Sequence, residues 1–486
     1  MGDINLGFSF DDVLLVPQRS GILPSEADLT TCLTSDIGLN IPIVSSAMDT
    51  VTEDALAIAL AREGGIGVIH RNNTPGEQAD MIAKVKRSEN MVISDPFTVT
   101  REMSLRDLER VMEQKGVSGF PVVDGEGKLQ GMVTTRDIWQ IEHPDKTIVG
   151  EVMTPRERLI VGSAKTTQEE AKKMLYQNRI EKLPLVDEDE KLAGLITSQD
   201  IEKRQQYTDA SKDGQGRLRV GGAVGVGGDA IERAAALVSA GVDALFIDAA
   251  TGHTSRVMNQ ITRLRENSDV PVVAGNVVTK EGARDLIDAG AAAIKVGVGP
   301  GSICTTRVIA GVGVPQFSAI LEVASETRER GIPLIADGGV RYSGDIVKAL
   351  AAGADVVMLG SLLAGTRESP GAMVQHQGRM FKEYRGMGSL KAMRKGSSDR
   401  YGQNASGKLV AEGVEGRVAY RGRLEDVVFQ LLGGLRSGMG YVGASNLKEL
   451  RTDPRFVRIT TGGLRESHPH DITITEEPVN YQSSSS

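Results

Sequence analysis

Short apolar runs that end in Gly, Asp, Asn or Ser recur along most of the chain. They span Ile41 to Ser46, Gly65 to His70, Arg219 to Gly225, Ala244 to Asp248, Pro271 to Asn276, Ala292 to Gly297, Pro333 to Gly338 and Val356 to Ser361. Between the later runs the apolar positions take helical spacing, as in Gly228 to Ala240 and Ser343 to Ala352, and Gly241 and Gly353 close those stretches. This is the pattern of parallel βα units. Eight such units are the number that closes a (β/α)₈ TIM barrel, an α/β fold whose active site lies at the C-terminal ends of its strands. Asp248, Asn276, Gly297, Asp337, Gly360 and Ser361 all fall at such ends. A doubly wound open sheet would also gather strand ends along one edge.

The interval between the second and third runs is too long for one helix and contains an internal repeat. Pro121-Val-Val-Asp124, Lys128-Leu129, Gly131, Thr134 and Asp137-Ile138 return as Pro184-Leu-Val-Asp187, Lys191-Leu192, Gly194, Thr197 and Asp200-Ile201. Every pair is separated by 63 positions (121 to 184, 137 to 200). Each copy predicts strand, turn, strand, Thr-x-x-Asp and helix. The repeat resembles a tandem pair of cystathionine-β-synthase-type (CBS) modules, a Bateman domain, over residues 92–205, with modules at about 92–150 and 151–205. Residues 1–91 and 206–486 would then form the barrel. The resemblance implies that ATP, GTP or another purine nucleotide binds the pair. Thr134, Asp137, Thr197 and Asp200 match its regulatory positions, where a carboxylate can accept both ribose hydroxyls. A purely structural repeat is the alternative.

Composition narrows the class. The 486 residues are 40% hydrophobic, 25% charged and 4% aromatic, with a formal net charge of −8. That balance suits a soluble α/β protein and argues against a nucleic-acid-binding surface. No apolar run long enough to span a membrane occurs, and the N-terminus lacks a basic region followed by an apolar one, so a cytoplasmic protein is expected. Only two cysteines are present, too few for a zinc cluster of their own.

One of these, Cys304, sits in Gly297-Val-Gly-Pro-Gly-Ser-Ile-Cys-Thr-Thr-Arg307, a run too glycine-rich and polar to be core. Gly297, Gly299 and Gly301 let the backbone approach a ligand closely, and Arg307 would favour the thiolate. Cys304 is therefore expected to react, whereas Cys32 reads as a small buried hydrophobe. Three further segments join this loop: Ala336-Asp-Gly-Gly339, Leu359-Gly-Ser-Leu362 and Tyr384-Arg-Gly-Met-Gly-Ser389. Their amides and hydroxyls suit a phosphate, and Asp337 suits a ribose diol.

These segments, together with Ser45 to Thr50, Ser398-Asp-Arg-Tyr401, Glu412 to Gly416 and Glu466-Ser-His-Pro-His470, resemble the inosine 5′-monophosphate dehydrogenase family of the bacterial type from Phe8 to Asp471. The resemblance implies NAD-dependent oxidation of IMP to XMP, the committed step of guanine nucleotide synthesis. Cys304 would form a thioimidate with carbon 2 of the base. Arg400 and Tyr401, on a mobile flap over about 384–420, would activate the hydrolytic water, and Thr306 would hold it. Arginine is ordinarily far too basic for that role, so its pKa or exposure is expected to be perturbed. For IMP the matching positions are Ser302, Asp337, Gly338, Gly339, Gly360, Ser361, Tyr384, Gly386, Met387, Gly388 and Glu412. For NAD they are Asp248, Asn276, Gly297 and Gly299. Carbonyls of Gly299, Gly301 and Cys304 match half of a potassium site, and Glu466, Ser467 and His468, in a tail over 460–472, match the half given by a neighbouring subunit. A homotetramer is implied, with an octamer as the larger alternative, and neither nucleic acid nor membrane is required.

Two departures from the family pattern are Gly402, where many relatives carry phenylalanine, and Ala250, where they carry serine. Gly438-Met-Gly440-Tyr-Val-Gly443 has dinucleotide-loop spacing but follows a helical run, Leu424 to Leu435, and is set aside. His253 reads as solvated or near the dinucleotide. The rival readings are GMP reductase, which shares the barrel and the cysteine loop but lacks the Arg-Tyr pair, and a nucleotide sensor with a vestigial barrel.

Overall fold

The structure is a computed structural model that describes residues 4–481 except 90, 91, 94, 140, 142, 199, 200, 202–206, 404–406, 477 and 479. Two compact units partition the chain, one formed by 1–88 with 209–486 and the other by 89–208.

The first unit holds a closed barrel of eight parallel strands. In chain order they are β1 (Ile43–Ser45), β2 (Ile66–Ile69), β3 (Val220–Val224), β4 (Ala244–Ile247), β5 (Val272–Val277), β6 (Ala293–Val296), β7 (Leu334–Asp337) and β8 (Val356–Leu359). All eight expected strands are present, in the expected order. They are apolar throughout because parallel strands are covered on both faces, by the barrel core within and by helices without. Inside, Val44, Ile66, Val68, Phe246, Val273, Ile335 and Met358 pack together. Gly221 on β3 makes room for Phe246, since a Cβ there would stand 2.7 Å from the ring. Outside, the helix Asp54–Arg62 lies so close to β2 that a Cβ on Gly67 would stand 2.5 Å from the Ala57 Cα.

The N-terminal mouth of the barrel is plugged by a hairpin, Thr31–Thr34 with Ile37–Leu39, whose Leu33, Ile37 and Leu39 join the core. Strand alternation then turns Cys32 outward, and it is exposed rather than buried. The expectation of a small core hydrophobe fails there because a two-residue period places neighbours on opposite faces.

Helix ends follow local chemistry. Thr74 caps Pro75–Arg87, accepting from the Glu77 amide while Glu77 accepts from the Thr74 amide. Thr254 and Thr279 cap the helices after β4 and β5. The Gly438 to Gly443 segment belongs largely to one long helix, Leu424–Val442, which excludes a phosphate loop there.

In the second unit the sequence repeat is matched by a repeat of elements. Helices Leu105–Lys115 and Gln168–Asn178 occupy matching positions, as do the hairpins Gly119–Val123 with Leu129–Thr134 and Lys182–Val186 with Leu192–Thr197. Both hairpins carry a bulge at the same place, at Val122/Val123 and at Leu185/Val186. The copies join reciprocally: Leu129 N donates to Glu190 O at 3.1 Å and Leu192 N to Gly127 O at 3.0 Å. Each copy keeps its own core.

Candidate active site

A cavity of about 380 Å³ opens at the C-terminal ends of the strands. Its walls include the cysteine loop after β6, the Gly-Gly turn after β7, Gly360 and Ser361 after β8, and the excursion between two strands of an added sheet, Arg379–Arg385 and Glu415–Ala419. Of the expected residues, Asp248, Asn276, Gly297, Gly299, Gly301, Ser302, Cys304, Asp337, Gly338, Gly339, Gly360, Ser361, Tyr384, Gly386, Met387, Gly388, Arg400, Tyr401 and Glu412 line it.

The thiol is held by a strand-like clasp. The excursion returns along the cysteine loop, with Thr305 N donating to Glu412 O and Val414 N to Ile303 O, each at 3.0 Å. Cys304 Sγ, half-buried, donates to Thr306 Oγ1 at 3.3 Å, and that hydroxyl donates to Glu412 Oε2 at 2.8 Å. A nucleophile, a hydroxyl and a carboxylate thus form one hydrogen-bonded chain. The Arg307 guanidinium donates to the Val298 and Val314 carbonyls, so it braces the loop.

In the same cavity, Asp337 Oδ2 accepts from Asn276 Nδ2 at 2.9 Å and from Lys295 Nζ at 3.2 Å. Asn276 also donates to Gly297 O and accepts from Lys295, so its amide is turned to the Asp337 carboxylate. Lys295, buried inside β6, was not singled out from sequence; a lysine in an otherwise apolar run was the available signal. Gly338 and Gly339, at φ 89° and 81°, form a turn against Pro300 that β-carbons would crowd. Tyr384 bonds Ser302, and burial pushes its phenol up to about 12, so it remains a neutral donor. Uncharged donors around a turn of glycine amides suit a phosphate.

Elsewhere on the cavity wall, Asp248 is clasped by two arginines. Arg71 Nε donates to Oδ2 at 3.0 Å, and Arg400 Nη1 donates to Oδ1. Burial raises the Asp248 pKa, but Arg400 and Arg71, with Lys295 behind them, outweigh it and hold the carboxyl below its usual range. Arg400 is partly buried, with its side chain 19% exposed, and that burial alone would make it less basic. Asp248 and neighbouring acidic groups reverse that, so its pKa is raised. In this arrangement Asp248 holds Arg400 as a cation. Its Nε is buried without a hydrogen-bond partner. Tyr401 lies beside it, with its hydroxyl against Gly388 and its pKa raised by burial.

Of the two departures from the family pattern, the one at Gly402 acquires a physical reason. Gly402 ends the turn Ser398–Tyr401 at φ 66°, a conformation that favours glycine over phenylalanine. Ala250 contributes its backbone amide, which donates to Arg400 O at 3.1 Å.

Carbonyls of Gly299, Gly301 and Cys304 share one loop, and hard neutral oxygens fit potassium, although Gly301 O already accepts from Cys304 N at 3.0 Å. Glu466, Ser467 and His468 do not line this cavity. Glu466 ends the helix Thr461–Glu466, Ser467 caps back to Gly463 O at 2.8 Å, and His468 Nδ1 meets Tyr481 Oη at 3.0 Å. His253 pairs with Asp285 at 2.8 Å. In the second unit, Asp137 Oδ2 accepts from the amide and hydroxyl of Thr134 at 2.7 and 2.8 Å. Thr197 ends the matching strand, and the expectation for Asp200 lies outside the described residues.

A family model described as IMP dehydrogenase / GMP reductase domain matches residues 7–470. The chain belongs to this family. It is 58% identical over 481 residues to the inosine-5′-monophosphate dehydrogenase of Aquifex aeolicus (strain VF5), covering 98% of each chain. It is 54% identical over 478 residues to the protein of that name from Bacillus subtilis (strain 168), again covering 98% of each. Among solved structures it is similar to a GMP reductase from Trypanosoma brucei in complex with guanosine 5′-monophosphate, with a TM-score of 0.89 and 42% identity over 97% of this chain and 99% of that one. Among the described residues no helix is long and apolar enough to cross a membrane.

Proposed function

We propose that this chain oxidises IMP to XMP with NAD through a covalent bond to Cys304. The observation that carries the reading is the hydrogen-bonded chain Cys304, Thr306, Glu412, whose two ends line the same cavity as Asp337 and Arg400.

Asp337 accepts the ribose hydroxyls of IMP, the turns at Gly339 and Gly360 with Ser302, Ser361 and Tyr384 take its phosphate, and Met387, Gly388 and Glu412 meet the base edge. This presents carbon 2 to the thiol. Sulfur adds there as its proton is lost, the C–H bond breaks with its electron pair, and a thioimidate remains. Bound NAD supplies the hydride acceptor. Water then adds to carbon 2, the C–S bond breaks, and XMP leaves with the thiol regenerated. Thr306, already donating to Glu412, offers the water's proton a route to a carboxylate. Arg400 contributes positive charge next to the reacting centre. NAD would need Asp248 for its nicotinamide ribose, with Asn276, Gly297 and Gly299 nearby. With Arg71 on Oδ2 and Arg400 on Oδ1, Arg400 and that ribose compete for the same carboxylate.

The same reading gives the loop carbonyls a potassium ion shared with Glu466, Ser467 and His468 of a neighbouring copy in a homotetramer. It also makes 89–208 a Bateman domain that binds ATP or GTP, and places the enzyme in the cytoplasm. Mixing the protein with IMP and NAD should produce NADH absorbance and XMP in equal amounts. Turnover of GMP with NADPH, without XMP formation, would instead support GMP reductase.

A further inference from the structure

Arg71 directly follows His70 at the end of β2, and its side chain is only 5% exposed. It makes two charge-assisted bonds to carboxylates far apart in sequence. Nε donates to Asp248 Oδ2 at 3.0 Å, on the barrel, and Nη2 donates to Asp399 Oδ1 at 2.7 Å, on the excursion that carries Arg400. Gly225, at the end of β3, leaves room for the second pair, because a Cβ there would stand 3.1 Å from Asp399 Oδ2 and 3.2 Å from Arg71 Nη1. The residue after Asp399 then reaches the other oxygen of Asp248. Two like-charged guanidinium groups are thereby held on one buried carboxylate, which is tolerable only while Asp248 and Asp399 together balance them.

We propose that Arg71 is a positioning residue for the hydrolytic half of the reaction: it orients Asp248 and tethers Asp399, and so seats Arg400 in the cavity that holds the thiol. The proposal rests on the reading of Cys304 as the nucleophile towards IMP. A planar fork suits this task, since it can address two carboxylates at once where an ammonium cannot do so with fixed geometry. The tether is not needed while hydride leaves, because Asp248 is then given to the dinucleotide.

The test is a stopped-flow and intact-mass experiment on the full chain with saturating IMP and NAD. In Asp399→Asn the first-turnover formation of NADH should match the wild type. Steady-state turnover should fall by about ten- to a hundredfold, the scale of a misplaced reacting group, and the Cys304 adduct should become the dominant mass species. Arg71→Ala, which also loses its hold on the dinucleotide's Asp248, should show the same split at saturating NAD together with a weaker affinity for NAD, Arg71→Lys should recover part of both, and the double variant should be no slower than Arg71→Ala alone. Equal slowing of first turnover and steady state, or no accumulated adduct, would overturn the proposal. A wild-type chain that makes no XMP at all would refute the underlying reading instead. Should Arg71→Ala not fold, Asp399→Asn alone decides.

Discussion

Cys304 is useful to the chemistry because of what its neighbours accept. Its thiol donates to Thr306, and Thr306 to Glu412, so the sulfur is aimed without being buried. Cys304→Ala should abolish NADH formation while IMP still binds, measured by calorimetry; loss of both would make the cysteine structural. Arg400 calls for a different assay. Because it is raised in pKa and locked to Asp248, its contribution is charge and placement in this arrangement. Arg400→Ala should leave the first hydride transfer intact and trap the thioimidate, visible as an added mass on Cys304. Slowed hydride transfer without the adduct would contradict that role. Most contacts around Cys304 were legible because glycine, cysteine and threonine are packed into one short run. The Arg71 to Asp399 bond was not, since its partners are 328 positions apart and neither motif names the other. Lys295 escaped for the same reason: its carboxylate partner is supplied by another strand.

At the scale of elements, continuous apolar runs betray parallel strands because burial on both faces removes the alternation an open sheet would show. All eight were therefore readable, whereas the hairpin carrying Cys32 was not, its strands being too short to display a period. Close helix–strand approach was equally hidden, because a glycine's missing β-carbon says nothing about what faces it. Gly67 is the clearest case. Gly67→Ala would drive a methyl into the Ala57 backbone and should destabilise the barrel by about 1–3 kcal/mol, the usual cost of overpacking. Gly344→Ala, exposed with nothing within 4 Å, should be neutral or slightly stabilising, as alanine favours helix. Thermal unfolding of the two variants separates crowding from a general effect of losing glycine.

For the whole molecule, the tail and the inserted unit make separable contributions. A chain ending before Glu466 keeps every cavity-lining residue, so on the proposed assembly it should lose activation by potassium sooner than its ability to bind IMP, read by titrating potassium against turnover. Among the described residues, none of 89–208 belongs to the barrel core or to the lining of the cavity. Its points of departure are held on the barrel side: Lys86 Nζ bonds Asp213 at 3.1 Å, Asn40 Nδ2 donates to Asp209 O at 2.6 Å and Ser211 N to Ala61 O at 2.7 Å. Residues 88 and 209 therefore leave from one fixed neighbourhood, and a short Gly/Ser linker should bridge them without disturbing the strands. That shortened chain is expected to turn over IMP at a rate close to the full chain's. Any response to ATP or GTP should vanish, because the two reciprocally joined copies and the Thr134 to Asp137 corner are gone. Steady-state assays with each nucleotide, paired with solution mass measurements, read both effects. A folded but inactive shortened chain would mean that the repeat contributes to catalysis itself, and an unchanged nucleotide response would place the regulatory site on the barrel.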